Sequence, residues 1–169
     1  MNIAGHIGAR LSGRIAELRS RFVRARYFRG HGVHSPFVYD LVRQVFMRRD
    51  LLPGDRELCR TLLAAGVAKS RAVELQNLAI HCRYATFGLN RADADLCVLT
   101  REVASQEILA LARSAAEAKR TVAVLAPYAD RERLDVCRRI VAEHRSTTVD
   151  RCGYLLLFNN HLPKQHFRL

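Results

Sequence analysis

The chain has 169 residues, enough for a domain with a hydrophobic core, and 49% of its residues are hydrophobic. Its formal net charge is +12, and 25 of its 28 basic residues are arginine. The composition argues against a disulfide-rich or membrane-spanning protein, since no unbroken apolar run is longer than that of Tyr154 to Phe158. The positive charge favours acidic partners such as nucleic acid, anionic lipid or another protein, although an ordinary solvated basic surface explains it equally well.

Residues 3–28 have the pattern of an amphipathic helix, and we treat residues 1–30 as a basic N-terminal helix. Its apolar residues recur at spacings of three and four: Ile3, Ile7, Leu11, Ile15, Leu18 and Phe22. Its candidate basic interaction face comprises Arg10, Arg14, Arg21, Arg24 and Arg26. Burial against the domain or a second subunit is the favoured interpretation, and an anionic membrane surface or a phosphate backbone is the alternative.

Residues 29–33 contain two glycines and predict a break before a helix that begins at Ser35-Pro36. Serine is a favoured N-cap, and proline is preorganised for a first helical turn. The predicted buried face is Val38, Leu41, Val42, Val45 and Phe46. A turn at 53–55 then precedes a second helix, which Asp55 is expected to cap and Gly66 to end. Its predicted apolar residues are Leu58, Leu62 and Leu63.

Residues 67–90 permit two interpretations. Ala72, Leu75, Ala79 and Cys82 fit one face of a helix, which we prefer. The alternative is a short strand over residues 72–75. No strand is predicted between residues 76 and 93.

From residue 94 the pattern predicts an α/β sheet, so we expect residues 31–169 to form a single α/β domain. Short apolar runs predict buried strands, and Thr100 and Asp130 are placed to cap helices. The last two strands are expected to form a hairpin that turns at 151–153. The predicted order is strand 96–99, helix 101–119, strand 121–126, helix 131–144, strand 147–150 and strand 154–158.

Three segments resemble a bacterial family of class I S-adenosylmethionine (SAM)-dependent methyltransferases. The segment His31-Gly32-Val33-His34-Ser35-Pro36-Phe37-Val38-Tyr39-Asp40-Leu41-Val42 is similar to the family's N-terminal signature. The order of elements over residues 95–158 resembles the last third of that fold, namely strands 4 and 5 followed by the hairpin of strands 6 and 7. The resemblance implies that strand 7 lies antiparallel between strands 5 and 6. The ending Lys164-Gln165-His166-Phe167-Arg168-Leu169 is similar to the family's tail. The candidate signature residues are His31, His34, Ser35, Pro36 and Asp40.

The chain departs from the family where the cofactor binds. Glycine allows the backbone to approach SAM closely, yet Val73-Glu74-Leu75 is followed by Gln76-Asn77-Leu78-Ala79, with no glycine before Gly88. Acidic residues are expected after strands 4 and 5, where Thr100-Arg101-Glu102 and Ala126-Pro127-Tyr128 stand instead. We therefore expect a truncated Rossmann-like methyltransferase sheet that keeps strands resembling 4, 5, 6 and 7 and has an N-terminal helical region.

The functional expectation is a methyltransferase-like protein without cofactor binding or catalysis, acting as an interaction or structural protein and associating with itself or another protein. One alternative is an active methyltransferase with an atypical or shared SAM site, and another is an Arg-rich nucleic-acid-binding module. No catalytic or cofactor-binding residue is predicted. No metal-binding residue is predicted either, because His31 and His34 lack a third ligand.

The five cysteines are Cys59, Cys82, Cys97, Cys137 and Cys152. Their number is odd and none are spaced as C-x-x-C, so we expect reduced and mostly buried thiols. The N-terminus also has no unbroken apolar run of signal-peptide length. These features lead us to expect a cytoplasmic protein.

Overall fold

The computed structural model describes residues 34–169. The predicted helix 3–28, its basic face and the signature residue His31 lie outside these residues. The described chain divides between Phe87 and Gly88 into two compact units. Residues 34–87 are called the helical unit below, and residues 88–169 the α/β unit.

The helical unit contains α1 (Pro36–Leu41), which continues as a π-helical segment (Val42–Phe46), then α2 (Glu57–Ala64) and α3 (Lys69–His81). The helical interpretation of residues 72–75 is therefore confirmed. Helix α3 packs against both α2 and the π-helical segment. The predicted face of the first helix is buried at all five positions, Val38, Leu41, Val42, Val45 and Phe46.

Of the two predicted ends of α2, only the C-terminal one is confirmed. Gly66 has a φ of 75°, and Val67 N donates to Leu62 O across the end of the helix, so the predicted glycine terminus is confirmed. Asp55 is not the N-cap, because that position belongs to Arg56. The Asp55 carboxylate instead accepts from Glu57 N at 3.1 Å. Leu63, which was predicted among the apolar residues of this helix, is 43% exposed.

Two buried amides of α3 hold the chain that precedes and begins α2. Asn77 Oδ1 accepts from Leu52 N at 2.8 Å, and Asn77 Nδ2 donates to Asp50 O at 3.0 Å. Gln76 Oε1 accepts from Cys59 N at 2.9 Å. Because an amide both donates and accepts, each residue satisfies backbone groups that the helices leave unpaired.

The α/β class is confirmed, with six strands in one mixed sheet of the described chain. The strands are β1 (Phe87–Leu89), β2 (Leu96–Leu99), β3 (Thr121–Leu125), β4 (Thr147–Asp150), β5 (Tyr154–Leu157) and β6 (Gln165–Arg168). Helices α4 (Ser105–Glu117) and α5 (Arg131–Glu143) follow β2 and β3. The strand order across the sheet is β1-β2-β3-β5-β4-β6.

Strand β5 lies antiparallel between β3 and β4, as the resemblance implied. Leu156 is opposite Ala123 of β3 on one side and Val149 of β4 on the other. The hairpin turns at residues 151–153, as predicted.

The sequence predictions were wrong at three places in this unit. Strand β1 lies in the stretch where no strand was expected, and the tail forms β6, parallel to β4. Helix α4 begins at Ser105 rather than Arg101. Thr100 does not cap it, because the Thr100 hydroxyl accepts from Glu102 N within the preceding turn.

One face of the sheet packs against α4 and α5. The sheet contributes Cys97 and Leu99, Val122 and Val124, and Leu155 and Leu157 to this core, in the alternation expected of strands. Ile108 of α4 and Ile140 of α5 complete it. The intervening residues Val98, Ala123 and Leu156 are buried as well. Runs of consecutive apolar residues in β2, β3 and β5 are consistent with burial on both faces.

Candidate functional site

The signature residues of the helical unit build the start of α1. Ser35 is buried and its hydroxyl accepts from Val38 N at 3.4 Å, while Pro36 is the first residue of the helix. The predicted N-cap and proline start are therefore confirmed. His34 is exposed in front of them. Ser35 and Pro36 therefore set the start of this helix.

Asp40 joins α1 to the end of α3. Its carboxylate lies 2.9 Å from His81 Nε2, with side chains 55% and 25% exposed respectively. Among residues 34–169 no cluster of three potential metal ligands occurs.

Cys82 follows His81 in the sequence and is therefore a candidate nucleophile beside the Asp40–His81 pair. Burial raises the pKa of its thiol to about 11, and a hydrogen bond with Tyr84 opposes this effect only in part. A nucleophilic cysteine requires a thiolate at neutral pH, so Cys82 is unsuited to that role. All five cysteines are free, and Cys59, Cys97 and Cys137 are buried as predicted.

The carboxyl ends of β2 and β3 form the edge at which open α/β sheets ordinarily bind ligands. Here this edge is occupied by Arg133 of α5, which is 2% exposed. Its guanidinium donates to Thr100 O at 2.8 Å and Val103 O at 2.8 Å beyond β2, and to Leu125 O at 3.0 and 3.2 Å at the end of β3.

The start of α5 sets the position of Arg133. Asp130 is the N-cap, as predicted, and its carboxylate accepts from Arg133 N at 2.8 Å. Helical side chains lean toward the N-terminus of their helix, which brings the guanidinium under the two strand ends. Burial lowers the pKa of Arg133, and the nearby Asp130 carboxylate opposes this effect. An arginine nevertheless stays charged in a folded protein, so the edge contains a buried cation held by carbonyl oxygens.

Neighbouring polar groups of this edge are also bonded within the protein. Asn90, in a left-handed conformation with φ of 57°, accepts from Thr100 N at 2.8 Å. The Tyr128 hydroxyl donates to Asp150 at the end of β4. The second oxygen of Asp150 accepts from Cys152 N at 3.3 Å in the hairpin turn. Asp150, the acidic residue at this edge, therefore stabilises the hairpin turn.

Sequence reasoning did not single out Arg133, Asn90 or the Tyr128–Asp150 pair. A signal for Arg133 was present, because it shares the apolar face of α5 with Cys137 and Ile140 at helical spacings of four and three. A charged residue on a buried stripe usually has a specific set of partners. Asn90 gave no comparable signal, since its partners come from the pairing of β1 with β2.

No protein-family model, curated protein or solved structure matches this chain. Among residues 34–169, no helix is both long and apolar enough to cross a lipid bilayer.

Proposed function

We propose that this chain is a shortened relative of the class I SAM-dependent methyltransferases that neither binds SAM nor transfers methyl groups, and that it acts as an interaction or structural protein. The observation that carries the proposal is the buried Arg133 guanidinium beneath β2 and β3. The guanidinium donates to the carbonyl oxygens of Thr100, Val103 and Leu125, so the edge where the cofactor would bind is already occupied. This disfavours SAM and its demethylated product alike.

The relationship to methyltransferases rests on two observations. The signature segment 31–42 is similar to the family's own in sequence. The strand order β2-β3-β5-β4, with β5 antiparallel to both neighbours, is the order that the resemblance implied.

Calorimetric titration of the full chain with SAM tests the absence of cofactor binding. We expect no saturable heat, and the same result with S-adenosylhomocysteine, which lacks the sulfonium charge. Saturable micromolar binding of either compound would refute the proposal and favour an active enzyme with an atypical SAM site. Circular dichroism of the same sample ensures that a negative result comes from folded protein.

The interaction role is assigned to the apolar stripe of residues 1–28. An apolar contact persists at high salt, whereas binding to a phosphate backbone or anionic lipid weakens steeply as salt rises. We expect the full chain to associate with itself, with its mass by sedimentation equilibrium unchanged between low and high salt.

Two double variants separate the stripe from the basic face. Ile7→Asp with Ile15→Asp interrupts the stripe and is expected to yield monomers. Arg14→Gln with Arg24→Gln is the matched control and should leave the mass unchanged. If the arginine variant dissociates and the stripe variant does not, the basic face is the self-association surface, and the assignment to the apolar stripe is refuted.

A further inference from the structure

A groove of about 1070 Å³ lies in the α/β unit, between the ends of α4 and α5 and the chain that leaves β5. It is separate from the carboxyl edge that Arg133 occupies, since its walls come from the elements that lead into β3 and β4. Its volume suits a small organic ligand.

Two cations of the groove have no ion-pair partner among residues 34–169. Lys119 follows the end of α4 and Arg145 follows the end of α5, each two residues beyond the helix, and both are exposed. Lys119 also adopts a left-handed conformation with φ of 55°, where glycine is the ordinary residue. This conformation costs a residue other than glycine roughly 1 kcal/mol.

The acidic groups of the groove are fewer than its cations and partly neutralised. Glu143 lies 2.8 Å from Arg113 and 2.8 Å from Arg139, and these hydrogen bonds lower its pKa. Glu117 is the second carboxylate of the lining and is exposed. The lining thus has three cations and two acids, and the pairing of Arg113 with Glu143 leaves Lys119 and Arg145 with Glu117 as the other acid.

Neutral groups of the groove add hydrogen-bond donors. Asn160 uses its side-chain oxygen to accept from Ser146 at 2.6 Å and from Leu162 N at 3.2 Å, so its amide nitrogen is available to donate. His144 is buried, and its Nε2 lies 3.0 Å from Phe158 O, so this N–H is used within the protein and is not offered to a ligand. His161 is exposed at the opening of the groove.

The remaining wall is apolar. Leu109, Ala112 and Ala116 line it from α4, and Ile140 lines it from α5. A ligand that fits both parts needs an anionic group for Lys119 and Arg145 and a flat or compact apolar group for this wall. Arginine matches the oxygens of phosphate in a bidentate geometry, and a dianionic phosphate uses two cations better than a carboxylate does.

We propose that this groove binds a phosphomonoester carried on a small apolar group. The anion lies between Lys119 and Arg145, and the apolar group rests on Leu109 and Ala116. The proposal is independent of the methyltransferase resemblance, because the groove uses none of the signature residues and none of the groups at the carboxyl edge.

Calorimetric titration of the full chain with phenyl phosphate tests the site, with inorganic phosphate and phenol as probes of its two halves. We expect saturable binding of phenyl phosphate at or below the millimolar range, and at least about tenfold weaker binding of either half alone. An absence of saturable binding of phenyl phosphate up to about 10 mM overturns the proposal. Equal binding of inorganic phosphate and phenyl phosphate overturns the assignment of the apolar wall.

Variants locate the site. Lys119→Gln with Arg145→Gln should weaken phenyl phosphate binding at least about tenfold, as expected for the loss of charge-assisted hydrogen bonds. The matched control is Arg131→Gln with Arg138→Gln, which removes two exposed charges of α5 that both contact Asp135 outside the groove. An equal loss in the control shows non-specific attraction and overturns the site.

Ala116→Phe fills the groove without changing its charge. Ala116 is exposed, so the larger ring does not have to enter the core. We expect this variant to keep its circular dichroism spectrum and to lose phenyl phosphate binding. Retained affinity would place the ligand elsewhere.

A final arm distinguishes a soluble phosphomonoester from a lipid headgroup. Vesicles of phosphatidic acid in phosphatidylcholine are sedimented with the wild-type chain and with Ala116→Phe. Co-sedimentation of the wild type alone, displaced by phenyl phosphate, identifies a headgroup in this groove. No co-sedimentation, with phenyl phosphate still bound in solution, identifies a soluble ligand. Co-sedimentation of both proteins to the same extent overturns the groove as the lipid site.

Discussion

In the helical unit, the chain before α2 is held by a neutral amide, Asn77, which donates to one backbone group and accepts from another. In the α/β unit, the chain after β2 and β3 is held by a cation, Arg133, which only donates. The difference follows from the backbone groups to be satisfied. A loop between helices leaves both N–H and C=O groups unpaired, whereas the ends of two parallel strands and their loops present converging carbonyl oxygens. We therefore expect the two units to respond differently when these side chains are truncated.

The largest effect is expected from Arg133→Met. Three buried carbonyl oxygens lose their donors, at about 1–3 kcal/mol each, while the cost of burying the guanidinium disappears. The net loss of unfolding free energy should be about 3 kcal/mol. The chain contains no tryptophan, so urea unfolding is best followed by circular dichroism. Arg138→Met, an exposed change on the same helix, is the control and should alter stability by less than about 0.5 kcal/mol. Similar midpoints for both variants would show that the guanidinium is not required at this edge.

A smaller loss is expected from Asn77→Ala. Two partly buried hydrogen bonds disappear, at about 1 kcal/mol each, so we expect a loss of about 2 kcal/mol. Asn77→Asp keeps the acceptor for Leu52 N and removes the donor to Asp50 O, which tests whether both functions of the amide matter. Gln44→Ala, which truncates an exposed amide of the same unit, is the control. If the aspartate variant is as stable as the wild type, the contact with Asp50 contributes nothing.

Ser35→Ala should cost about 1 kcal/mol, the usual loss for an N-cap. Ser35→Thr keeps the hydroxyl and should restore most of this stability in thermal or urea unfolding. Comparing this loss of stability with that of the Asn77 variants distinguishes the contribution of a local helix cap from that of hydrogen bonds between distant segments. Equal stability of the serine, threonine and alanine forms would mean that Pro36 alone sets the start of α1.

The smallest effects concern the helix ends, which use the same left-handed turn in both units. Gly66, Arg83 and Lys119 all have positive φ just beyond a helix. A Cβ added at Gly66 meets no atom within 4 Å, so Gly66→Ala should cost about 1 kcal/mol of purely conformational energy. Arg83→Gly relieves that strain but loses a cation at a helix C-terminus, so its net effect should be below about 0.5 kcal/mol. A larger loss from Arg83→Gly than from Gly66→Ala in urea unfolding would show that the arginine side chain, rather than backbone strain, governs this turn.

Some strands could be predicted from the sequence and others could not, for physical reasons. Strands β2, β3 and β5 were predictable because each is a run of apolar residues buried on both faces. Strand β6 has the polar sequence Gln165-His166-Phe167-Arg168, and β1 has three residues with a central glycine. Neither segment has a propensity of its own, and both exist through pairing with distant strands.

The candidate sites were less predictable than the fold. The Ser35 cap is a local pattern and was found, whereas the Asp40–His81 pair joins residues on two helices. Arg133 was predicted only to lie in the helix 131–144, because nothing local to α5 marks the carbonyl oxygens of Thr100, Val103 and Leu125 as its partners. The groove near Lys119 and Arg145 likewise depends on where α4 and α5 end in space.

The placement of β5 between two antiparallel neighbours has a consequence for how the sheet opens. The amides of Leu155, Leu156 and Leu157 lie in a strand paired on both sides, so deuterium can reach them only when the hairpin separates from β3 or the unit unfolds. The edge strand β6 is paired only with β4 in the described sheet and can detach without disturbing that arrangement. Amide exchange should therefore be slowest at β5, and its rate there should report the global opening of the α/β unit rather than local fraying.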